Sequence, residues 1–222
     1  SSAASDVYKR QNQNRTSPEG IYQETVAFLN LVNTIHKIKS LYPLSEESLS
    51  GLIALTTSVT VPKGEMVIHQ GHIEKHMYFI EQGLVRAYSD GREKQITFWF
   101  GMPGDYIISA QSFVHGKPGY ESMEALEDCI LYEINTAELF ALLKDNAELA
   151  NWSRKLAENE LLKLEKMFIN RQFKTATQLY VELLEQIPSL PNRVPLKYIA
   201  SFLGISQVSL SRIRASLAKG II

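Results

Sequence analysis

A series of short apolar runs separated by glycines fills the middle of the chain, from about Val59 to Ile134. The runs are four to six residues long: MVIH, MYFI, LVRAY, ITFWF, DYII, ESMEAL and CILYEI. Strands of this length between turn signals are typical of an antiparallel sandwich or barrel, whereas a parallel sheet needs intervening helices. The tightest turns are predicted at Gly83 and at the Asp90-Gly91 pair. The pattern therefore predicts an antiparallel, jelly-roll-like β-roll whose interior can hold a small ligand.

Helical patterns flank the predicted β-roll on both sides. Before it, apolar residues from Pro18 to about Ser40 follow helical spacing, and a second short helix begins at Ser45. After it, a helix of about 25 residues carries an approximately heptad apolar seam. Because a long helix with one apolar seam needs a partner, we favour a symmetric dimer contact over packing on the chain's own β-roll. The predicted dimer interface consists of Leu149, Trp152, Leu156, Leu161, Leu164 and Phe168.

The stretch from Leu196 to Ala215 predicts two short helices joined by a sharp turn at Gly204. Each helix has one apolar face, Ala200 is small where the helices approach each other, and Ser206 caps the second helix. Ser209 stands where a capping box would need Glu, so the predicted cap is a simple one. This ordered set of positions is what a DNA-binding helix-turn-helix requires. The alternative is an ordinary helix corner inside a helical core.

Basic residues are concentrated in the same part of the chain. Positions 190–222 contain five Lys and Arg residues and no Asp or Glu, although the whole chain has a net charge of −1. A polyanion contact must therefore be confined to this region, where the charge favours phosphate and predicts strongly salt-dependent binding. The five residues are Arg193, Lys197, Arg212, Arg214 and Lys219.

Other features of the sequence argue against a metal centre or an enzyme. His69, His72 and His76 lie close together, but their spacing does not place them on one strand face, so we interpret them as solvated turn histidines. We predict no metal site and no cofactor. A cupin-like metalloenzyme is the enzyme alternative, in which only His115 could supply a later ligand. No phosphate loop, nucleophile elbow or C-x-x-C motif occurs, so we predict that the protein is not an enzyme.

The cysteine content and the apolar runs indicate the compartment. The single Cys129 excludes a disulfide framework within the chain and a four-thiolate cluster built from one chain, which indicates a reducing compartment. No run of about 18 apolar residues is present to span a membrane, and the polar start lacks the apolar region of a secretory signal. We therefore expect no membrane partner.

The order of these parts resembles the Crp/Fnr family of bacterial transcription regulators, over roughly Leu41 to Lys219. The resemblance is carried by V-P-K-G-E-M-V-I-H-Q-G at positions 61–71, M-Y-F-I-E-Q-G at 77–83, P-G-D-Y at 103–106 and the predicted helix-turn-helix. The sequence of the helix-turn-helix looks most like that of family members from the Bacteroidetes. The resemblance implies an α+β fold, with a cyclic nucleotide-binding-like β-roll, a long dimerisation helix and a C-terminal helix-turn-helix.

The resemblance also implies partners and a division into domains. It implies a cytoplasmic homodimer that binds palindromic double-stranded DNA, with two recognition helices in successive major grooves about 34 Å apart. RNA polymerase is a candidate partner, and the small-molecule effector is not identified. Residues 1–17 are interpreted as disordered or added by cloning, 18–145 as the sensory β-roll with its N-terminal helices, 146–172 as the dimerisation helix and 173–222 as the DNA-binding domain.

Two departures from the family pattern change what the resemblance implies. Cyclic-AMP-binding members hold the ribose with a Gly-Glu pair and the cyclic phosphate with an Arg-Ser pair. Here Ile108 and Ser109 stand in the first place and Gly119 to Ser122 (Gly-Tyr-Glu-Ser) in the second, so the phosphate-binding arginine is missing. Without the arginine, tight cyclic AMP binding is disfavoured. The wing hairpin is also cut to three residues, 220–222. The candidate effector pocket is Gly104, Ile108, Ser109, Ala110, Tyr120, Glu121 and Ser122.

The side of the second helix opposite its apolar stripe predicts the DNA contacts. Arg212 is expected to read a guanine, Gln207 and Ser211 to offer hydrogen bonds to bases, and Val208 to meet a thymine methyl. The other basic residues of the set are expected to contact phosphates. The complete predicted set is Lys197, Ser206, Gln207, Val208, Ser209, Ser211, Arg212, Arg214 and Lys219. The alternative function is a ligand-binding or protein-binding regulatory module without DNA binding.

Overall fold

Two four-stranded antiparallel sheets form the centre of the computed structural model, which describes residues 31–91 and 94–220. The strand orders are β1-β8-β3-β6 and β2-β7-β4-β5. The predicted α+β fold is confirmed, and every predicted apolar run contains a strand. The strands are β1 Thr57–Val61, β2 Met66–Ile68, β3 His76–Gln82, β4 Val85–Asp90, β5 Gln95–Gly101, β6 Tyr106–Ile107, β7 Ser122–Ala125 and β8 Cys129–Asn135.

The two predicted turns have different roles in this topology. The turn at Gly83 carries the chain from β3 in one sheet to β4 in the other, so it is not a hairpin turn. The Asp90-Gly91 pair does begin the β4–β5 hairpin, although β5 starts only at Gln95 and residues 92–93 lie outside the described part. Apolar side chains from both sheets, including Ile68, Ile80 and Leu131, fill the interior between them.

Four short helices cover the first sheet and the end of the roll: α1 Val32–Leu41, α2 Glu46–Ile53, α3 Ala110–His115 and α4 Thr136–Asp145. The Ser45 hydroxyl accepts a hydrogen bond from the Ser48 amide at 3.2 Å, which confirms the predicted start of α2. The Glu81 carboxylate of β3 accepts a hydrogen bond from the Thr34 amide at 2.9 Å. It thereby pairs with an amide at the N-terminus of α1 that has no acceptor within the helix. The earlier part of the predicted first helix, and the predicted segment 1–17, lie outside the described residues.

The long helix, α5 (Ala147–Phe173), has two halves with different surroundings. In the first half, Leu149, Trp152 and Leu156 are buried among the chain's own α1, α2, β3 and α4, and the Trp152 indole donates to the Ile38 carbonyl at 3.1 Å. The prediction that these three residues form a dimer interface is therefore wrong, because they already fill the core beneath the helix. In the second half, Leu161, Leu164 and Phe168 are 67%, 55% and 67% exposed.

Four further helices follow: α6 Ala176–Gln186, α7 Leu190–Arg193, α8 Leu196–Leu203 and α9 Gln207–Ala218. We call α8 and α9 the C-terminal helix pair. Gly204 joins the two helices with φ of +70°, a left-handed conformation that a side chain disfavours. The Ser206 hydroxyl accepts the Ser209 amide at 3.1 Å and caps α9. The two helices, the turn and the cap are as predicted. Within residues 31–91 and 94–220, none of the helices combines the length and apolar character needed to cross a bilayer.

Candidate nucleic-acid interface and sensory pocket

The outward side of α9 is polar and basic. Leu210 is fully buried and fixes the orientation of the helix, because Ile213 and Leu217 pack on the same core. Neither helix of the C-terminal pair contains a carboxylate, and Arg212 and Arg214 make no ion pair with the described residues. The exposed members of the predicted contact set are Lys197, Ser206, Gln207, Val208, Ser211, Arg212, Arg214 and Lys219.

Two serines of the predicted set form hydrogen bonds with each other at the start of α9. The Ser206 and Ser209 hydroxyls lie 2.9 Å apart and hydrogen-bond to each other, and Ser206 also accepts the Ser209 amide. Their first role is therefore to begin the helix. Lys197 stands apart from α9 on the first turn of α8, where its ammonium lies 4.7 Å from the Tyr198 ring centroid.

Arg193, one of the five basic residues in the predicted patch, is used within the molecule. Its guanidinium donates two hydrogen bonds to the Glu127 carboxylate, at 2.7 Å and 2.5 Å, and thereby joins α7 to the turn between β7 and β8. These hydrogen bonds lower the pKa of Glu127 and raise that of Arg193. The interpretation of Arg193 as part of a phosphate-binding patch is therefore wrong, because its charge is already paired.

The first helix of the pair covers the edge of a sheet. β5 is the last strand of its sheet, and a strand in this position leaves unpaired backbone groups. The Ser201 hydroxyl of α8 accepts the Thr97 amide and donates to the Gln95 carbonyl, both at 2.9 Å. Next to it, the rings of Phe202 and Phe100 pack with centroids 5.5 Å apart. The helix pair is thus attached to the β-roll by backbone-directed hydrogen bonds and by apolar contact.

A buried arginine, which sequence reasoning missed, lies at this attachment. Arg86 on β4 is 1% exposed and donates to Thr97 Oγ1 at 2.9 Å and to Glu124 at 2.8 Å. Its guanidinium lies over two aromatic rings, 4.1 Å from the centroid of Tyr88 and 3.7 Å from that of Tyr198 on α8. The signal in the sequence is a charged residue within the apolar run LVRAY, since an arginine there must find partners when the strand is buried.

Two members of the predicted effector pocket meet inside the roll. Ser109 and Glu121 are 1% and 3% exposed, and Ser109 Oγ and Glu121 Oε1 have no hydrogen-bond partner among the described residues. Both atoms face Gly119: a Cβ on that glycine would lie 2.5 Å from the first and 2.7 Å from the second. The backbone at Gly119 therefore lies against a buried hydroxyl and a buried carboxyl group.

The other predicted pocket residues are not gathered around this pair. Ile108 packs on the core beneath α5. Gly104 lies in a turn, and its backbone amide donates to the Ile80 carbonyl at 2.8 Å. Ala110 and Tyr120 are exposed. The Ser122 hydroxyl accepts the Gln70 amide at 3.1 Å.

The histidine cluster does not form a ligand set. His69 and His72 are exposed and their rings contact each other edge to face, with centroids 5.8 Å apart. His76 lies beside Glu74, whose carboxylate is 3.2 Å from its Nδ1 atom. Among the residues that the structure describes, no three His, Cys, Asp or Glu side chains are close enough together to hold a metal ion.

The β-roll matches a known class of domain. Residues 58–146 match the family model of the cyclic nucleotide-binding domain, a segment that runs from β1 to the end of α4. The match covers the strands, Ser109 and Glu121. No curated protein sequence matches the chain.

Solved structures extend the similarity in fold beyond the roll. FixK2 from Bradyrhizobium japonicum is 20% identical with a TM-score of 0.64, over 75% of this chain and 86% of that chain. A protein from Eubacterium rectale described as a Crp/Fnr-family transcriptional regulator is 19% identical with a TM-score of 0.64, over 82% and 89%. The Thermus thermophilus catabolite activator protein is 19% identical with a TM-score of 0.51, over 83% and 87%. The chain therefore shares the fold of these regulators.

Proposed function

We propose that the protein is a homodimeric, sequence-specific DNA-binding transcription regulator. The observation that carries the proposal is the outward side of α9, which exposes Arg212 and Arg214, neither of them ion-paired within the part of the chain that the structure describes. The turn at Gly204 and the buried Leu210 hold this side away from the molecule. A helix presented in this way can enter the major groove, with the residues near its N-terminus closest to the bases.

Base reading falls to the first turns of α9. Arg212 can pair with a guanine through two hydrogen bonds, Gln207 and Ser211 can adapt to several bases, and Val208 can contact a thymine methyl. Lys197, Arg214 and Lys219 are assigned to phosphates, which fix the register of the protein on DNA. The division proposed for the whole chain is a sensory roll over 18–145, a dimerisation helix over 146–172 and a DNA-binding part over 173–222.

The second half of α5 supplies the proposed dimer contact. Besides Leu161, Leu164 and Phe168, this half exposes three more large apolar side chains, and such a continuous apolar surface marks an interaction site. A second copy is the occupant that matches the proposed palindromic DNA, since a twofold axis along this helix pairs the same surface with itself. The additional residues are Leu162, Ile169 and Phe173.

The sensory roll is proposed not to bind cyclic AMP tightly. A cyclic phosphate entering beside Gly119 would meet the Glu121 carboxyl group, whose Oε1 atom has no hydrogen-bond partner among the described residues. Isothermal titration calorimetry should therefore detect no tight binding, and a micromolar dissociation constant would contradict this part of the proposal.

The DNA-binding proposal is tested by selecting bound sequences from random double-stranded DNA. A palindrome is expected, and anisotropy titrations on it should show an affinity that falls steeply with salt. Arg212→Ala should cost about 1 to 3 kcal/mol on the selected site and relax its preference, whereas Lys197→Ala should weaken binding to all sequences alike. Lys155→Ala, in the first half of α5, is the matched control. It should change neither the affinity for the selected site nor the sequence preference. Failure to select any sequence would leave a regulatory module without DNA binding.

The dimer is tested separately by sedimentation. The double substitution Leu161→Ser and Phe168→Ser should convert the dimer to a monomer, because it removes apolar area from the centre of the proposed contact. Val114→Ser is the control: Val114 is also exposed, at 68%, but lies on α3. Dissociation by the control, or a dimer that survives the double substitution, would place the contact elsewhere.

A further inference from the structure

A cleft of about 500 Å³ lies where the β-roll, the long helix and the C-terminal helices meet. We call it the interface cleft; β5 forms one wall, the second half of α5 another, and α6 and α8 close the rest. Its volume falls within the range of about 300 to 1,000 Å³ that is typical of small-molecule sites, which often lie between domains. It is separate from the pair formed by Ser109 and Glu121, neither of which lines it.

The wall on the β-roll side is aromatic. Phe98, Trp99 and Phe100 are consecutive on β5, yet all three line the cleft. The register explains this, because Trp99 is opposite Ala87 and Thr97 is opposite Tyr88, so Phe98 is the extra residue of a bulge that redirects its neighbours. Gly101 leaves space for the Trp99 ring, since a Cβ there would lie 2.1 Å from it. The bulge thus brings three consecutive aromatic residues to one wall of the cleft.

The wall on α5 is cationic towards solvent. Its cleft-lining residues follow one face of the helix, at positions 163, 166, 167, 170 and 171, opposite the apolar face proposed for the dimer. Lys163 is paired with Glu160 at 2.7 Å, whereas Lys166 has no partner among the described residues. Within the described ranges, Arg171 donates only to the Phe202 carbonyl, at 3.2 Å, out of the five N–H donors of a guanidinium.

The acidic residues of the cleft do not cancel these cations. Glu182 is ion-paired with Lys174, and Asp105 accepts the Met102 amide at 3.0 Å within a turn. Asp105 also interacts electrostatically with Lys37, whose pKa is lowered by burial and by the nearby Lys163. The charges left without an acidic partner in the cleft are therefore those of Lys166 and Arg171.

We propose that the interface cleft binds a small amphipathic carboxylate. Its apolar chain or ring packs against Phe98, Trp99 and Phe100, and its carboxylate is held by Lys166 and Arg171 at the rim. Because the ligand contacts the β-roll, α5 and α8 together, it stabilises the arrangement in which the C-terminal helix pair is attached to β5. The binding itself does not depend on DNA binding, so it can be tested on the full chain alone.

Decanoate and decanol serve as probes of equal chain length with and without the charge. Calorimetry should show one decanoate per chain and weaker binding of decanol. Lys166→Met keeps the apolar stem of the side chain but removes a charge-assisted hydrogen bond. It should therefore lower the affinity for decanoate about three- to tenfold and leave the affinity for decanol unchanged. Lys155→Met, on the same helix but outside the cleft, is the matched control. Equal affinities of decanoate and decanol, or no effect of Lys166→Met, would overturn the proposal.

The position of the probe is tested by fluorescence. The chain has two tryptophans, and only Trp99 lines the cleft, whereas Trp152 is buried beneath α5. A decanoate with bromine at its far end should quench Trp99. Because Trp99 also lines the cleft, Trp99→Phe should abolish the quenching and weaken calorimetric binding without abolishing it. Quenching that survives Trp99→Phe would exclude the cleft.

A sterically blocked variant and a variant of the opposite face complete the test. Asn170→Trp should fill the cleft and abolish binding of both probes, with circular dichroism confirming that the chain remains folded. Phe168→Ser, on the apolar face of α5, should leave binding intact. Loss of decanoate binding in Phe168→Ser but not in Asn170→Trp would assign the binding to the exposed apolar face and refute the proposal.

Discussion

At the scale of single residues, two buried side chains pack closely against the backbone of Gly119 inside the β-roll. The glycine allows Ser109 and Glu121, both buried, to lie against the backbone where any side chain would overlap them. We predict that Gly119→Ala lowers the free energy of unfolding by about 1 to 3 kcal/mol, because neither buried neighbour can move aside freely.

The control for this substitution lies in α2. A methyl group added at Gly51 would have Leu142 Cδ1 as its nearest neighbour, at 4.0 Å, so Gly51→Ala should be neutral or stabilise the helix by up to about 1 kcal/mol. Urea denaturation of both variants measures the difference. Equal destabilisation of the two would mean that the contact at Gly119 is not the cause.

Arg86 gives a second prediction at this scale. It pairs across strands with Glu124, whose side chain is 16% exposed, and Arg86→Met would leave that carboxylate without its partner. We expect a loss of about 3 kcal/mol in the free energy of unfolding. Changing both residues to Met should cost less than Arg86→Met alone, because no charge is then left unpaired. A double-mutant cycle with no coupling energy would contradict this.

At the scale of elements, one hydroxyl of α8 pairs with two backbone groups at the edge of β5. Ser201→Ala would leave the Thr97 amide without an acceptor at a residue that is fully buried. The expected loss is about 1 to 3 kcal/mol, together with faster hydrogen exchange at the Thr97 amide. Ser211→Ala, on the exposed side of α9, is the control and should change the free energy of unfolding by less than about 0.5 kcal/mol. Unchanged exchange at Thr97 would show that another group protects this edge.

The elements themselves were predictable because they depend on local chemistry. Short apolar runs between glycines specify strands in either sheet, and Gly204 followed by Ser206 specifies a turn and a helix start from adjacent residues alone. Partners distant in sequence were not predictable. Nothing near Trp152 indicates that its half of α5 lies on the roll, because an apolar seam has the same pattern whichever surface covers it.

The same limit applies to the candidate site. The sequence predicted that Ser109 and Glu121 both belong to an effector pocket, but their proximity arises from the meeting of the start of α3 and the start of β7 in space. Arg193 was assigned to phosphate because its charge was counted with its neighbours in sequence. Its actual partner, Glu127, is 66 residues away.

At the scale of the whole molecule, the C-terminal helices and the β-roll share one core. Leu84, Phe100 and Leu126 of the roll pack with Leu190 and Ile199. Arg86, Ser201 and Arg193 add three polar connections across the same boundary. Movement of α7 and α8 relative to the roll would therefore break these contacts together.

The ion pair at this boundary makes stability depend on pH. The hydrogen bonds from Arg193 hold the pKa of Glu127 below its ordinary value of 4.5, so the folded chain binds this proton less readily than the unfolded chain. The stabilisation is complete above the ordinary pKa and is lost as the pH falls through the lowered one. Glu127→Gln should therefore show a weaker decline in the free energy of unfolding on acidification than the unsubstituted chain.

Urea denaturation over a series of pH values isolates this contribution, because other carboxylates with lowered pKa values, such as Glu148, are present in both proteins. Glu185→Gln is the matched control: Glu185 is exposed on α6 and makes no ion pair with the described residues. Its curve should run parallel to that of the unsubstituted chain. If Glu127→Gln also runs parallel, the bridge to Arg193 contributes nothing to the attachment of the C-terminal helices. If its curve is flatter only below the ordinary pKa of Glu127, the boundary between roll and helices is held in part by this single charge pair.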